Sequence, residues 1–212
     1  MVPNIIKVNR KEDLETGLKI AGNIISSGGS VAFPTESFYG LGVDATNEKA
    51  VQQLFAIKKR GGDHPVLILI PTREMLDQHV AHVPDVANTL IKEFWPGGLT
   101  LVFEARPKTP RSLTAGTGKI GVRLSDHPIA TGLAQSAGLP ITGTSANVSG
   151  EPACVNAEGV SRSLGETVDM ILDGGETEGG KGSTILDITV DPPRVLRDGM
   201  VSREDLKTLI SL

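Results

Sequence analysis

The sequence contains one cysteine, Cys154, and only one tryptophan and one tyrosine. A single cysteine excludes an intramolecular disulfide and a zinc site built from paired cysteines. It is typical of a reducing compartment, which predicts a cytoplasmic protein. The scarcity of aromatic side chains disfavours a module that binds nucleic acid by base stacking. No apolar run is long enough to span a membrane, so no membrane partner is expected.

Positively charged residues are fewer than negatively charged ones. Lysine and arginine total 21 against 25 aspartates and glutamates, which gives a net charge of -4. A surface that is basic as a whole is therefore excluded, and any anion-binding site must be local. At 212 residues the chain is long enough to bury a substantial core without disulfides, and we expect a single domain over residues 1–212.

Short apolar runs alternate with segments of helical periodicity, and 25 glycines and 13 prolines provide many tight turns between them. This pattern predicts an α/β fold. Short steps between strands late in the chain favour a mixed sheet over a purely parallel one. We expect strands at 4–8, 31–33, 65–70, 99–104, 120–124, 139–142, 170–172, 184–189 and 194–197. We expect helices at 11–27, 47–60, 72–78, 84–94, 127–137, 156–164 and 202–212. The segment 106–118 is predicted to be a mobile or ligand-covering loop.

Residues 31–60 are the stretch around which the site is predicted to form. A buried strand ends at Pro34, and Gly40 and Gly42 let a ligand approach the backbone closely. A helix capped by Asn47 then ends in the cationic run Lys58-Lys59-Arg60, with Gly61-Gly62 as its stop. This order predicts a pocket for an anionic small molecule, although cations at a helix end are also typical of a solvated terminus.

Other motifs differ in strength. The segment 175–181 resembles a phosphate-binding P-loop, but Gly182 stands where a hydroxyl residue would bind magnesium. His79 and His82 have no carboxylates with them, so no protein metal site is expected. Arg123 at the end of an apolar strand can hold a carboxylate or a phosphate through two parallel hydrogen bonds. Ser145 and Asn147 follow another strand, where they are also common turn formers.

Seven motifs occur in order along nearly the whole chain. They are 34–42 (PTESFYGLG), Lys58-x-Arg60, Asp63-His64-Pro65, 121–123 (GVR), 145–150 (SANVSG), 183–185 (STI) and 195–199 (VLRDG). In this combination the chain resembles the YrdC/TsaC family of L-threonylcarbamoyladenylate synthases, in the short single-domain form. The resemblance implies a YrdC-like α/β fold, with a twisted mixed sheet, flanking helices and a large positive concave cavity.

The resemblance also implies a reaction. Such enzymes use ATP, L-threonine and bicarbonate or CO2, release pyrophosphate, and make threonylcarbamoyl-AMP. Downstream threonylcarbamoyl transferase proteins use this product to modify tRNA, so contact with tRNA itself would be indirect. Mg2+ would be carried by the nucleotide.

Residue roles follow from the matched motifs. Lys58 and Arg60 would bind the ATP phosphates and the charge that develops during the reaction, and Tyr39 would line the cavity. The implied threonine ligands are Thr35, His64, Arg123 and Ser183. The implied nucleotide ligands, besides Lys58 and Arg60, are Ser145, Asn147 and Arg197.

Three residues depart from the family pattern. Lys59 and Lys119 are expected to add positive charge near the phosphate site, and Phe38 replaces a smaller aliphatic residue. Two alternative functions remain: a tRNA- or double-stranded-RNA-binding module of the same fold, and a paralogue that uses a different carbamoyl-type substrate. A synthase would consume ATP only when threonine and bicarbonate are both present, whereas an RNA-binding module would bind RNA in a salt-sensitive manner.

Overall fold

The computed structural model describes residues 4–62 and 64–212, so Asp63 of the third motif lies outside the described residues. The strands are β1 (Asn4–Lys7), β2 (Val31–Pro34), β3 (Tyr39–Gly42), β4 (Ile68–Leu69), β5 (Leu99–Glu104), β6 (Lys119–Arg123), β7 (Ile141–Thr142), β8 (Thr144–Ser145), β9 (Met170–Asp173), β10 (Thr184–Asp187) and β11 (Arg194–Arg197). The α-helices are α1 (Lys11–Ser26), α2 (Glu48–Ile57), α3 (Asp85–Phe94), α4 (Arg111–Thr114), α5 (Pro128–Ala137), α6 (Ala157–Ser163) and α7 (Arg203–Lys207). Short 3-10 helices occupy Arg73–Gln78 and Gly165–Thr167.

The strands form two mixed sheets. The five-stranded sheet has the order β1-β9-β2-β3-β8, and the six-stranded sheet has the order β11-β10-β5-β6-β4-β7. One core cluster draws on both sheets and includes Leu41, Ile68 and Leu101. A second cluster packs α1 and α5 against β2 and β9. The predicted mixed α/β architecture is confirmed, with its strands divided between two sheets. No described helix has the length and apolar character needed to cross a membrane.

The helix that follows the central stretch begins as predicted and ends earlier. The Asn47 side chain accepts hydrogen bonds from the backbone N–H groups of Lys49 and Ala50, at 3.1 and 3.3 Å. The prediction that the cationic run completes this helix was wrong, because α2 ends at Ile57 and Lys59 adopts a left-handed φ of 50°. The chain therefore turns at a lysine before it reaches the glycine pair, and Lys58 is buried whereas Lys59 is exposed.

The glycines of β3 serve packing more than ligand access. A Cβ atom on Gly42 would lie 2.8 Å from the Phe33 ring, and one on Gly40 would lie 3.1 Å from it. The antiparallel pairing of β2 with β3 brings this ring against both positions. The predicted close approach of a ligand does not apply to Gly42, although Gly40 does line a cavity.

Several predicted segments differ in extent. The expected strand at 65–70 is reduced to β4, and the closing helix ends at Lys207 although its Ser202–Asp205 capping box is present. The segment 106–118 contains α4, whose Leu113 is buried and whose Leu113 carbonyl accepts a hydrogen bond from the Val66 N–H at 3.0 Å. This segment therefore packs partly on the core, and its Thr117 lines a cavity, so the mobile or ligand-covering role stays a prediction.

Gly199 provides a test of how closely the chain after β11 packs against the start of β10. A Cβ atom there would collide with the backbone of Gly182, Ser183 and Thr184, so we expect Gly199→Ala to lower the free energy of unfolding by about 1–3 kcal/mol. Gly62→Ala is the control, because a Cβ at Gly62 meets no atom within 4 Å, and we expect a change within about 0.5 kcal/mol. Denaturant titration measures both values. Equal stabilities of the two variants would contradict the packing described here.

Candidate active site

A cavity of about 660 Å³, the first cavity, lies on one face of the six-stranded sheet. Successive side chains of a strand point to opposite faces, so alternate residues of β5, β6 and β10 share its floor. These residues are Thr100, Val102, Lys119, Gly121, Arg123, Ile185 and Asp187. The middle of the floor is apolar, and Arg123 and Lys119 lie at opposite ends of β6.

A second cavity of about 520 Å³ adjoins the first. The two cavities share Arg60, Thr144 and Ser145 as lining residues. Of the predicted site residues, the first cavity is also lined by Thr35, Tyr39, Arg123, Ser183 and Arg197, and the second by Lys58, His64 and Asn147. The structure thus brings all ten residues to two connected spaces.

Two of the ten residues fall in a different space from the residues with which they were grouped. His64 was grouped with the threonine ligands, but it lines the second cavity. Arg197 was grouped with Lys58 and Asn147 as a nucleotide ligand, but it lines the first cavity beside Ser183.

Lys58 ties the end of α2 to the chain that follows β8. Its side chain is 2% exposed, and its Nζ atom donates to the carbonyl of Ser145 and, at 2.8 Å, to that of Asn147. The Lys58 carbonyl in turn accepts from the Ser149 N–H at 2.9 Å. Burial, reinforced by the nearby Arg60, lowers the pKa of Lys58 to about 8. The side chain therefore shapes the second cavity as well as charging it.

Asn147 and Arg60, which also line the second cavity, are held in different ways. The Asn147 Nδ2 atom donates to the carbonyls of Val148 and Glu151, at 2.9 and 2.7 Å. The Asn147 Oδ1 atom is buried and has no hydrogen-bond partner among the described residues, so it remains an acceptor in the wall of the second cavity. The Arg60 guanidinium donates to the Pro65 carbonyl at 3.3 Å and lies 5.9 Å from the centre of the Phe55 ring.

Arg123 forms a buried ion pair at the end of the first cavity. Its guanidinium Nη2 atom contacts the Glu36 carboxylate and donates to Ser125 Oγ at 3.4 Å. Ser125 Oγ donates to Glu36 Oε2 at 2.8 Å, which closes a triangle of three side chains. The Nε atom of Arg123 is buried without a hydrogen-bond partner among the residues described.

Ser183 and Arg197 form a second polar group at this side of the cavity. The Arg197 guanidinium donates twice to the Ser183 carbonyl, at 2.7 and 3.1 Å, and once to the Ser183 hydroxyl at 3.0 Å. The Ser183 hydroxyl also lies 2.8 Å from the Thr100 hydroxyl. Burial lowers the pKa of Arg197 from its ordinary value. Arg197 thus reaches from the edge strand β11 into the cavity with a fixed orientation.

Lys119 does not bring unpaired charge to the phosphate region. Its Nζ atom lies 3.1 Å from Asp187 Oδ2, at the opposite end of the cavity floor from Arg123. Burial favours a raised pKa for Asp187, but the hydrogen bonds from Thr189 and Lys119 outweigh it and lower that pKa. Lys59 is exposed and lines neither cavity. Lys59 therefore adds no charge to either cavity, and the charge that Lys119 brings to the first cavity is paired with Asp187.

Tyr39 and Thr35 hold loops at the cavity wall. The Tyr39 hydroxyl donates to the Gly175 carbonyl at 2.7 Å, which anchors the glycine-rich loop that leads to Ser183. Burial, with a contribution from Asp173, raises the pKa of Tyr39 to about 12. The Thr35 hydroxyl donates to the Phe38 carbonyl at 2.6 Å and closes the turn between β2 and β3.

The first cavity carries an excess of positive charge. Five of its lining side chains are cationic and two are carboxylates: Arg60, Lys119, Arg123, Lys181 and Arg197 against Asp187 and Asp198. Within 4–62 and 64–212, no group of three or more histidine, cysteine, aspartate or glutamate side chains is placed to hold a metal ion. The charge of the first cavity suits an anionic ligand group such as a carboxylate.

Sequence reasoning gave no site role to several residues that the structure places here, among them Glu36, Thr100, Ser125 and Asp187. Glu36 lies in the first matched motif, but its pairing with Ser125 and Arg123 gave no local signal, since these partners lie far away in the sequence.

Comparison with known proteins then decides the family. The Sua5_yciO_yrdC family model, described as "Telomere recombination", matches residues 23–199. The chain belongs to this family. The resemblance to YrdC proteins seen in the sequence is confirmed.

The relatives are similar over most of this chain. It is 39% identical over 206 residues to the threonylcarbamoyl-AMP synthase of Pyrococcus abyssi. This alignment covers 97% of this chain and 61% of that protein. It is 41% identical over 182 residues to the threonylcarbamoyl-AMP synthase of Bacillus subtilis, which covers 85% of this chain and 52% of that protein. The chain thus spans between half and two thirds of the length of these two relatives.

A solved structure also matches. The crystal structure of P. abyssi Sua5 complexed with L-threonine superposes with a TM-score of 0.93 at 37% identity, over 99% of this chain and 61% of that one. The fold of this family member is therefore shared with a protein that binds L-threonine.

Proposed function

We propose that this chain synthesises L-threonylcarbamoyl-AMP from ATP, L-threonine and bicarbonate or CO2, with release of pyrophosphate. The observation that carries the proposal is the junction of two cavities at Arg60, Thr144 and Ser145. One space offers Arg123, Thr35 and Ser183 to an amino acid, and the other offers the cations Lys58 and Arg60 to phosphates. The names of the relatives and the threonine complex of P. abyssi Sua5 support this assignment.

The reaction requires two bond-forming steps. The uncharged amine of threonine attacks the carbon of CO2, and loss of a proton from the same nitrogen gives a carbamate. A carbamate oxygen then bonds to the α-phosphorus of ATP, and the bond from that phosphorus to the β-phosphate oxygen breaks, so that pyrophosphate leaves. This displacement needs positioning and charge neutralisation more than a protein nucleophile. Arg60, which lines both cavities, is suited to stabilise the charge that develops between the two substrates.

The described residues offer no carboxylate cage for magnesium, so Mg2+ would be held by phosphate oxygens and water. Bound in this way, the ion would neutralise phosphate charge. The protein groups that would face the phosphates are Lys58, Arg60 and Ser145.

The wider setting follows from the product. A mixed anhydride of a carbamate and a phosphate is reactive, so a threonylcarbamoyl transferase protein would consume it in tRNA modification. This chain would then meet tRNA only indirectly. We propose that it acts in the cytoplasm and that the described residues form one catalytic domain, because one core cluster spans both sheets.

Mass detection of threonylcarbamoyl-AMP tests the proposal. Purified protein, MgATP, L-threonine and bicarbonate should give the product and pyrophosphate, and omission of any substrate should abolish both. No product, together with tight and salt-sensitive RNA binding, would instead favour the RNA-binding module. Turnover with carbamoyl phosphate or another amino acid in place of bicarbonate and threonine would favour the paralogue.

The pH dependence of ATP use tests the role of Lys58. Its ammonium loses its charge as the pH rises through about 8, so positive charge leaves the second cavity. We expect the KM for ATP to rise several-fold between pH 7 and pH 9.5. Lys58→Arg stays charged throughout, so this variant should lack the rise. An identical pH profile in both proteins would contradict the role.

A further inference from the structure

We propose that Glu36 is a positioning residue for the amino-acid half of the site: its carboxylate fixes the orientation in which Arg123 meets the threonine carboxylate. This inference rests on the proposed function and adds a residue that does not itself touch the substrate. Thr35 and Ser37 line the first cavity, whereas Glu36 between them does not. The Glu36 side chain is 12% exposed and lies behind the cavity wall.

The contacts of Glu36 converge on one edge of the Arg123 guanidinium. Glu36 contacts the Nη2 atom directly and reaches it a second time through Ser125, whose hydroxyl donates to Glu36 Oε2 at 2.8 Å. The Arg123 Nε atom has no partner among the described residues. The Nη2 atom of the guanidinium is therefore anchored, while Arg123 still lines the first cavity.

The anchor also joins the two sheets. Glu36 belongs to the turn between β2 and β3 of the five-stranded sheet, and Arg123 ends β6 of the six-stranded sheet. The pair thus fixes the turn that carries Thr35 against the strand that carries Arg123. These are two of the residues assigned to threonine, so Glu36 sets their relative position.

The burial of Arg123 and the positive charge of Arg197 nearby explain why Arg123 needs the Glu36 carboxylate. Burial, partly offset by Asp126 and reinforced by Arg197, lowers the pKa of Arg123 to about 10. Without Glu36, a buried guanidinium would face the like charge of Arg197 with no carboxylate in contact. We expect it to turn away from Arg197 and from the position in which it can form two parallel hydrogen bonds with a substrate carboxylate.

The prediction is a selective loss of threonine use. Glu36→Ala is expected to raise the KM for L-threonine at least 10-fold while the KM for ATP changes less than 2-fold, because Lys58 and Asn147 lie in the other cavity. Glu36→Gln keeps an acceptor for Arg123 and Ser125→Ala keeps the carboxylate, so both should show smaller increases. Added formate should partly restore threonine use in Glu36→Ala by occupying the vacated carboxylate position. Glu93→Ala, an exposed change in α3, is the matched control and should leave both constants unchanged.

The KM readout separates positioning from folding. A purely structural role would reduce the amount of active protein, and therefore the apparent kcat, but would leave the KM for threonine at its wild-type value. That result, or equal KM increases for both substrates, would overturn the inference.

A direct measurement separates this inference from the proposed function. Calorimetric titration with L-threonine should show at least 10-fold weaker binding to Glu36→Ala than to wild type. If wild type makes no threonylcarbamoyl-AMP, the proposed function fails, and the titration alone then decides the role of Glu36. Equal affinities, or no binding to wild type, would overturn it.

Discussion

Replacing Lys58 with alanine is expected to lower kcat/KM for ATP by about 100-fold or more. The change removes a positive charge from the second cavity, and it also removes the two hydrogen bonds that hold the carbonyls of Ser145 and Asn147. Both losses act on the same place, because Ser145 and Asn147 line that cavity. The measurement is pyrophosphate release at varied ATP with saturating threonine and bicarbonate.

Lys59→Ala is the matched control for this experiment. It removes the same charge from the neighbouring position, but Lys59 is exposed and lines neither cavity. We expect its kcat/KM to stay within 2-fold of wild type. Equal losses in the two variants would mean that the charge of the whole cationic run matters, rather than the buried contacts of Lys58.

Replacing Arg123 with alanine is expected to raise the KM for L-threonine by about 100-fold, since hydrogen bonds between charged groups are worth about 1.5–3 kcal/mol each. The same change leaves the Glu36 carboxylate buried without its cation, so a loss of stability of about 3–5 kcal/mol is expected as well. Threonine-dependent pyrophosphate release and denaturant titration measure the two effects.

A double variant separates the two effects of the Arg123 change. Glu36→Gln with Arg123→Gln removes both charges, so most of the stability should return while threonine use stays impaired. Recovery of normal threonine use along with stability would remove Arg123 from the amino-acid subsite.

The sequence indicated those features of the fold that depend on neighbouring residues. Asn47 caps α2 as expected, because a side-chain acceptor at that position satisfies free N–H groups of the first turn. Arg123 ends β6 as expected, because the apolar run before it is a strand. The end of α2 was predicted wrongly. The glycine pair at 61–62 was expected to end the helix, but the chain already turns in a left-handed conformation at Lys59.

Features that depend on distant residues were not readable. The division into two sheets rests on pairings such as β10 with β5 and β1 with β9, which no local pattern specifies. The matched motifs contain Arg123, Lys58, Glu36 and Asn147, but they did not show that Glu36 contacts Arg123 or that the Asn147 carbonyl accepts from Lys58. A motif therefore indicated which residues gather at the site, while their partners required coordinates.

The central claim is that the two adjoining cavities hold a triphosphate and an amino acid at the same time. A crystal structure with a non-hydrolysable ATP analogue, Mg2+ and L-threonine tests it most directly. We predict phosphate density in the second cavity within hydrogen-bond distance of Arg60 and Ser145, with the threonine carboxylate at Arg123 in the first cavity. Ligand density on any other face of the protein, or mutually exclusive binding of the two substrates, would contradict the account.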